Sequence, residues 1–276
     1  MSTRRRRPLI TRVAWGVGLI VMLLVMFPMI WAISFSTRPA GQQFTGQVFG
    51  TEFTLQNYGA AMYPDFIGYI VNSTVVSLGT ALLALAVAVF AAYAFARLSF
   101  PGKRLLFVVI VLSQLVPIAT IVLPMYRIIR TLGLINTRTG LIVAYLSFTT
   151  PVSVWIMKGF FENVPKDLEE AAIIDGCSHT RAFLQVILPI SKPGLVATFI
   201  WLIIATWQEL VYALTLITRA NARTVSVGIF DFFDQYTIDY ATLFAGAILI
   251  SLPIVLAFLV LQRHFVAGLA EGSVKG

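Results

Sequence analysis

PKDLEEAAIIDGCSHTRAFLQVILPISKP, Pro165 to Pro193, is a long polar interruption in a sequence that otherwise runs in apolar stretches. Its first half reads as a short helix. Pro165 stands near the start, Asp167, Glu169 and Glu170 fill the first turns where the positive end of the helix dipole favours them, and Gly176 stops it. The second half predicts another short helix, Arg181 to Leu188, with Ser178 or Thr180 as its cap and Pro189 as its end. Each piece is about ten residues, roughly 15 Å at helical rise, against the ~30 Å of hydrocarbon a span must cross. The segment is therefore a helix-turn-helix knob projecting from a membrane domain, and the runs on either side of it are the membrane domain itself.

Composition agrees with that division. The 276 residues are 58% apolar and 12% charged, with a mean hydropathy of +0.87, and runs of about twenty apolar residues recur along the chain: a polytopic membrane protein. The net charge of +8 would suggest nucleic acid in a soluble protein, but here its distribution matters more than its sum, and no nucleic-acid partner is expected. Cys177 is the single cysteine, so no intramolecular disulfide forms, and neither CxxC nor Cys/His metal spacing occurs. Arg4 to Arg7 ahead of an apolar run resemble a signal peptide, yet Val13 to Ile33 is too long for its hydrophobic region. It reads as a retained first span.

Six spans are predicted, roughly 13–34, 68–96, 104–126, 140–161, 194–217 and 240–262. With an even number both termini share one side. Placing the N-terminus inside puts fourteen Lys and Arg on inner segments, among them Arg4, Arg97, Lys103, Lys166 and Arg263, against six outside. The positive-inside rule thus puts both termini and the 165–193 knob in the cytosol. The chain divides into a basic cytosolic segment 1–12, an all-α six-span domain 13–262 that includes the loop 163–193, and a cytosolic tail 263–276.

Along the spans, Ala84, Ala88, Ala92 and Ala96 recur at four-residue spacing in the second, which suits close helix packing in lipid. Pro117 and Pro124 bracket an uncharged part of the third, just after Gln114; they permit a kink, either static or one that bends as the protein changes state. The fifth holds Trp207-Gln208-Glu209, about 22 Å from its inner end at helical rise. A carboxylate at that depth is costly against lipid, so Glu209 should face a watery path, a partner or a cation; otherwise it is an outer-leaflet helix end hydrogen-bonded to a neighbouring subunit. Outside the spans, Ser36 to Phe66 reads as an outer loop. Thr218 to Asp239, with Phe230, Phe232, Phe233 and Tyr236 among aspartates, suits an interfacial helix or a docking surface for an external protein.

Glu170-Ala171-Ala172, then Gly176, then Val186-Ile187-Leu188-Pro189, resembles the E-A-A-x-x-x-G-x9-I-x-L-P loop of permease subunits of binding-protein-dependent ABC importers, with Val186 in place of the usual Ile. Trp207-Gln208-Glu209 is similar to the W-N-[ED] segment of the carbohydrate branch, Gln208 replacing Asn. Leu132 to Gly140 and the tail FVAGL…GSVKG are also similar to that maltose-type, six-span branch. The resemblance implies that the loop docks on a separate ATPase subunit through Glu169, Glu170, Ala171, Ala172, Asp175, Gly176, Leu188 and Pro189. A small-residue face at Ala171 and Ala172 would allow close approach, and Glu170 would offer a charge-assisted contact. A helix lying on lipid is the alternative, but its acidic first turns suit anionic headgroups poorly. The family further implies a second, different permease subunit, two ATPase subunits, an external binding protein or lipoprotein, and a carbohydrate cargo. Asn72, Gln114, Trp207, Gln208 and Glu209 are the expected path residues. The tail 263–276 is a second expected ATPase contact.

No G-x-x-x-x-G-K-[ST] occurs, so this chain binds no nucleotide through a P-loop; no cofactor is expected on it, and ATP and magnesium belong to partner chains. HExxH, GxSxG and paired carboxylates are likewise absent, which argues against an intramembrane enzyme. The rival reading is a secondary transporter or channel with Glu209 as its ion site. Against it stand the E-A-A loop and the lack of a visible inverted repeat.

Overall fold

The structure, a computed structural model, describes residues 7–39, 52–233 and 239–272, with side chains described over 11–39, 52–233 and 239–262. Among these residues every regular element is helical apart from one isolated bridge residue. The chain divides into two compact units, residues 1–63 with 229–251 and residues 64–228 with 252–276.

The first unit contains α1 (Arg7–Ser36) and α2 (Gln56–Ala61). The predicted first span lies within α1, and its apolar side chains from Val13 to Ile30 stand exposed, the state expected of a helix surrounded by lipid. Its end is fixed by polar contacts: Asn57 Nδ2 donates to the carbonyls of Ser36 and Arg38, each at 2.8 Å.

The second unit is built on α3 (Pro64–Arg97), 34 residues and thus about 51 Å long. After the Pro101-Gly102 turn come α4 (Lys103–Leu112), α5 (Ile118–Thr131) and α6 (Arg138–Asn163), the last capped by Thr137, whose Oγ1 accepts from Gly140 N at 3.0 Å. The knob follows as α7 (Lys166–Ile174) and α8 (His179–Ile190), then α9 (Lys192–Trp207), α10 (Val211–Leu216), α11 (Val225–Gly228) and α12 (Tyr240–Gly272), the last shared between the two units.

Packing of α3 against α6 and α9 forms the core. Ala81, Ala84, Ala88 and Ala92 are completely buried, and the first pair meets Leu202 and Ile203 of α9 while the second pair meets Val154, Met157 and Phe161 of α6. In lipid, where tails are as apolar as Leu, such close backbone approach supplies the packing that holds helices together. A third cluster joins Ile129, Leu141, Tyr145, Tyr212 and Leu216.

Among the described residues four helices are long and apolar enough to cross a membrane, and up to six spans result when each bent pair counts as one. Expectation and structure differ in the third and fifth predicted spans. The third predicted span breaks at Val116–Pro117, and the segments Lys103–Leu115 and Ile118–Thr131 meet at 102°. Pro117 explains the break: it has no N–H to donate, and it forces Val116 into the extended conformation observed (φ −77, ψ 118). Pro124 lies inside α5 without interrupting it. The fifth predicted span, 194–217, stops at Trp207 and resumes only at Val211. The second bend, 72°, lies instead between α8 and α9.

The outer segment 218–233 does not form one interfacial helix; it folds as short turns at Ala220–Ala222, Val225–Gly228 and Ile229–Phe232. Asp234 and Tyr236 lie outside the described residues.

Candidate functional site

The knob begins as its sequence requires. Pro165 precedes α7 in an extended conformation, and Asp167 and Glu169 occupy the first turn. Its end is a Schellman turn: Cys177 N donates to Ala172 O and Gly176 N to Ile173 O, both at 3.0 Å, with Gly176 at φ 91. The second arm has one of its two expected caps, Ser178, but runs past both expected ends. It starts at His179, capped by Ser178, whose Oγ accepts from Arg181 N at 3.3 Å, and it continues through Pro189 to Ile190. A π turn over Phe183–Ile187 makes this possible, widening the helix just where the Pro189 ring would press on the carbonyl four residues back.

The two faces of α7 differ in character. Glu169 and Ala172 point into the protein, whereas Glu170, Ala171, Ile174, Asp175 and Gly176 are exposed. Ala171 and Ala172 therefore share no face, since successive residues on a helix diverge by about 100°. The exposed face carries instead Ile174, at 84% exposure the most exposed large apolar side chain among the described residues, which the sequence reading missed. Its signal was an isoleucine one helical turn after Glu170, on the solvent side of the acidic residues. Leu188 is half-buried and Pro189 exposed.

Glu169 is held from below by α3. Its Oε2 stands 3.2 Å from Arg97 Nε, and its Oε1 accepts a hydrogen bond from the Tyr93 hydroxyl. Arg97 Nη2 also donates to the carbonyl of Val164, the first residue after α6, at 2.5 Å. A cleft of about 270 Å³ lined by Tyr93, Arg97, Lys166, Glu169, Glu170 and His179 opens beside this pair.

The expected path residues do not form one lining. Glu209 is buried and caps α10: Oε1 accepts from Tyr212 N at 2.9 Å and Oε2 from Ala213 N at 3.2 Å, while its own carbonyl accepts from Ser226 Oγ at 2.7 Å. The helix-end position matches one of the two readings the sequence left open, but these hydrogen bonds are made within the chain and not to a neighbouring subunit. Asn72 is buried with its whole amide engaged; Nδ2 donates to Asn221 O (3.0 Å) and Arg223 O (2.7 Å), and Oδ1 accepts from Arg138 Nε (2.7 Å). Gln114 and Gln208 are exposed, each at a helix break. Trp207 is buried and lines a largely apolar cavity of about 190 Å³ with Ser77, Phe199, Ile203 and Pro253. The side chains of the tail 263–276 lie outside the described residues.

Apolar helices of spanning length, broken spans and a two-helix knob clamped to the end of α3 define a polytopic helical membrane protein. Comparison with known proteins places it further: residues 84–271 match the family of binding-protein-dependent transport system inner membrane components, and the chain belongs to that family. It is similar to the trehalose transport system permease protein SugB of Mycobacterium tuberculosis, 37% identical over 266 residues that cover 95% of this chain and 97% of the relative. It is also similar to the diacetylchitobiose uptake system permease protein DasC of Streptomyces coelicolor, 31% identical over 275 residues, covering 98% and 100%. In fold it resembles a chain of a bacterial ABC transporter involved in the import of the acidic polysaccharide alginate, with a TM-score of 0.78 at 20% identity over 96% of this chain and all of the other.

Proposed function

We propose that this chain is one of two different permease subunits of a prokaryotic ATP-driven importer that carries a carbohydrate or sugar derivative, an oligosaccharide, amino sugar or glycerophosphodiester, across the cell membrane by alternating access. The observation that carries the reading is the exposed face of α7. Glu170, Ala171, Ile174 and Asp175 form a small acidic-and-apolar surface on an element too short to span the bilayer and capped at its far end. Such a surface suits the groove of a separate, cytosolic ATPase subunit, with Glu170 as the charged contact and Ile174 as the apolar anchor. The termini and the knob lie in the cytosol, as the Lys and Arg distribution favours. Two ATPase subunits bind ATP and magnesium, an external binding protein delivers the solute, and this chain holds no cofactor and catalyses no reaction.

The cargo class rests on the relatives, and the chemistry of the helix breaks suits it. At Gln114 and Gln208 uncharged amides stand beside interrupted backbone, which at membrane depth is tolerated where it is buried in protein or lines a watery cavity. An ion-driven transporter using Glu209 is disfavoured, because both oxygens of that carboxylate already accept backbone N–H groups.

The test is co-expression with the partner subunits, followed by co-purification and vesicle uptake of trehalose, maltose and diacetylchitobiose. Uptake should require internal ATP and withstand a protonophore, and Glu170→Ala should weaken recovery of the ATPase subunits. Uptake by the chain alone, or collapse with the protonophore, would refute the proposal.

A further inference from the structure

Resting on that reading of the knob as the ATPase-driven element, its attachment to the bundle carries a second question. The covalent joint between α6 and α7 is two residues, Val164 and Pro165, both extended and outside either helix. The backbone there continues neither helix, although the Val164 side chain is buried beside Phe161 and Phe183, so contacts across the joint decide whether α7 and the bundle move together. The polar contacts across it come from α3: Arg97, its last residue, with a side chain 6% exposed, is ion-paired to Glu169 on α7 and bonded to the carbonyl of Val164 in the joint itself. Tyr93, one turn earlier on α3, supplies Glu169 with its second partner and packs between Phe161 of α6 and Phe183 of α8, with ring centroids 6.2 and 4.3 Å away.

A buried ion pair is a poor way to gain stability. Desolvating two charges offsets most of their attraction, and apolar residues of similar size often do as well; what the pair fixes is geometry. Here it fixes α7 to the helix that packs along both α6 and α9. The position of Arg97 at the carbonyl end of α3 also places a cation where that helix's dipole favours one.

We propose that Arg97, assisted by Tyr93, is the positioning residue that transmits displacement of α7 into the membrane bundle, acting through Glu169. Glu169 is thereby an internal strut and not part of the docking face. Loss of the strut leaves the ATPase docked and working while its stroke is absorbed at the Val164–Pro165 joint.

The experiment uses the assembled importer in proteoliposomes with its binding protein, and trehalose, maltose or diacetylchitobiose, whichever the unaltered complex takes up. Solute moved per ATP hydrolysed, recovery of the ATPase subunits and thermal unfolding are measured together. Arg97→Gln should keep the ATPase bound but lower the uptake-to-hydrolysis ratio by about tenfold or more, within the roughly 5- to 150-fold span of ordinary coupling between sites. Arg97→Lys should recover part of the ratio, and Tyr93→Phe should lower it less than Arg97→Gln.

The double variant Arg97→Gln, Glu169→Gln removes the stranded carboxylate, so its unfolding temperature should return toward that of the parent while the ratio stays low. Full recovery of transport in the double variant would overturn the proposal, since the pair would then serve only charge balance. So would an unchanged ratio in Arg97→Gln, or loss of the ATPase from it. Failure of the unaltered chain to assemble with an ATPase would instead refute the function on which the strut depends.

Discussion

The side-chain oxygen of Asn72, on α3, accepts a 2.7 Å hydrogen bond from Nε of Arg138, the first residue of α6. The same amide's nitrogen holds the carbonyls of Asn221 and Arg223, so one side chain ties α3, α6 and the 219–224 turn together. Nearby, Asn136 Oδ1 accepts from Thr218 N at 2.6 Å and Arg219 N at 3.0 Å, closing the same end of the unit from the other side. Asn72→Ala removes three bonds at a buried position, each worth about 1 kcal/mol or more. The purified variant is expected to unfold several degrees lower and, below that temperature, to keep the parent's KM for solute. A changed KM with unchanged stability would return Asn72 to the translocation path.

Glu209 makes a similar argument with a sharper chemical contrast. A carboxylate offers an acceptor to each of two N–H groups, whereas Glu209→Gln leaves one facing an NH2. The variant should lose about 1–3 kcal/mol of stability by denaturant unfolding. Uptake should fall by one common factor for trehalose, maltose and diacetylchitobiose, because the cap touches no solute. A reordering of those solutes would show instead that the carboxylate takes part in selection.

What was legible in the sequence divides along the range of the forces involved. The start of α7 at Pro165 and its stop at Gly176 depend on residues within one turn, and both were readable. The break at Pro117 was half readable: the proline showed that a bend was permitted, but not that it would be 102°. The break at Gln208–Leu210 has no Gly or Pro to announce it; it exists because the Glu209 side chain takes the N–H groups of the next turn, a contact that hydropathy treats as a lone charge. Arg97 was least legible of all. In sequence it counts as one more inner-surface cation, and only the fold brings it to Glu169.

Gly176 sits at φ 91 with no neighbour within 4 Å of where a Cβ would stand, so any cost of substitution is backbone strain and not collision. Left-handed conformations cost L-residues about 1–2 kcal/mol, least for Asn. Uptake is therefore expected to decline in the order Gly, Asn, Ala, Val, with membrane insertion constant throughout. Equal uptake by the Val and Asn variants would mean that the turn at the end of α7 need not be held.

Gly194 presents the opposite case. A Cβ there would meet the Phe160 ring, which places α9 against α6 at the point where the chain leaves the knob. Gly194→Ala should cost about 1–3 kcal/mol, the usual penalty for overpacking, unless the ring moves. Phe160→Ala on its own removes packing at a half-buried site and should also destabilise. Together the two changes should cost less than their sum, because the space opened by one receives the methyl added by the other. Unfolding of the four proteins in parallel measures that difference; strict additivity would show that α6 and α9 do not meet at Gly194, and that the close contact through which the knob joins the bundle lies elsewhere.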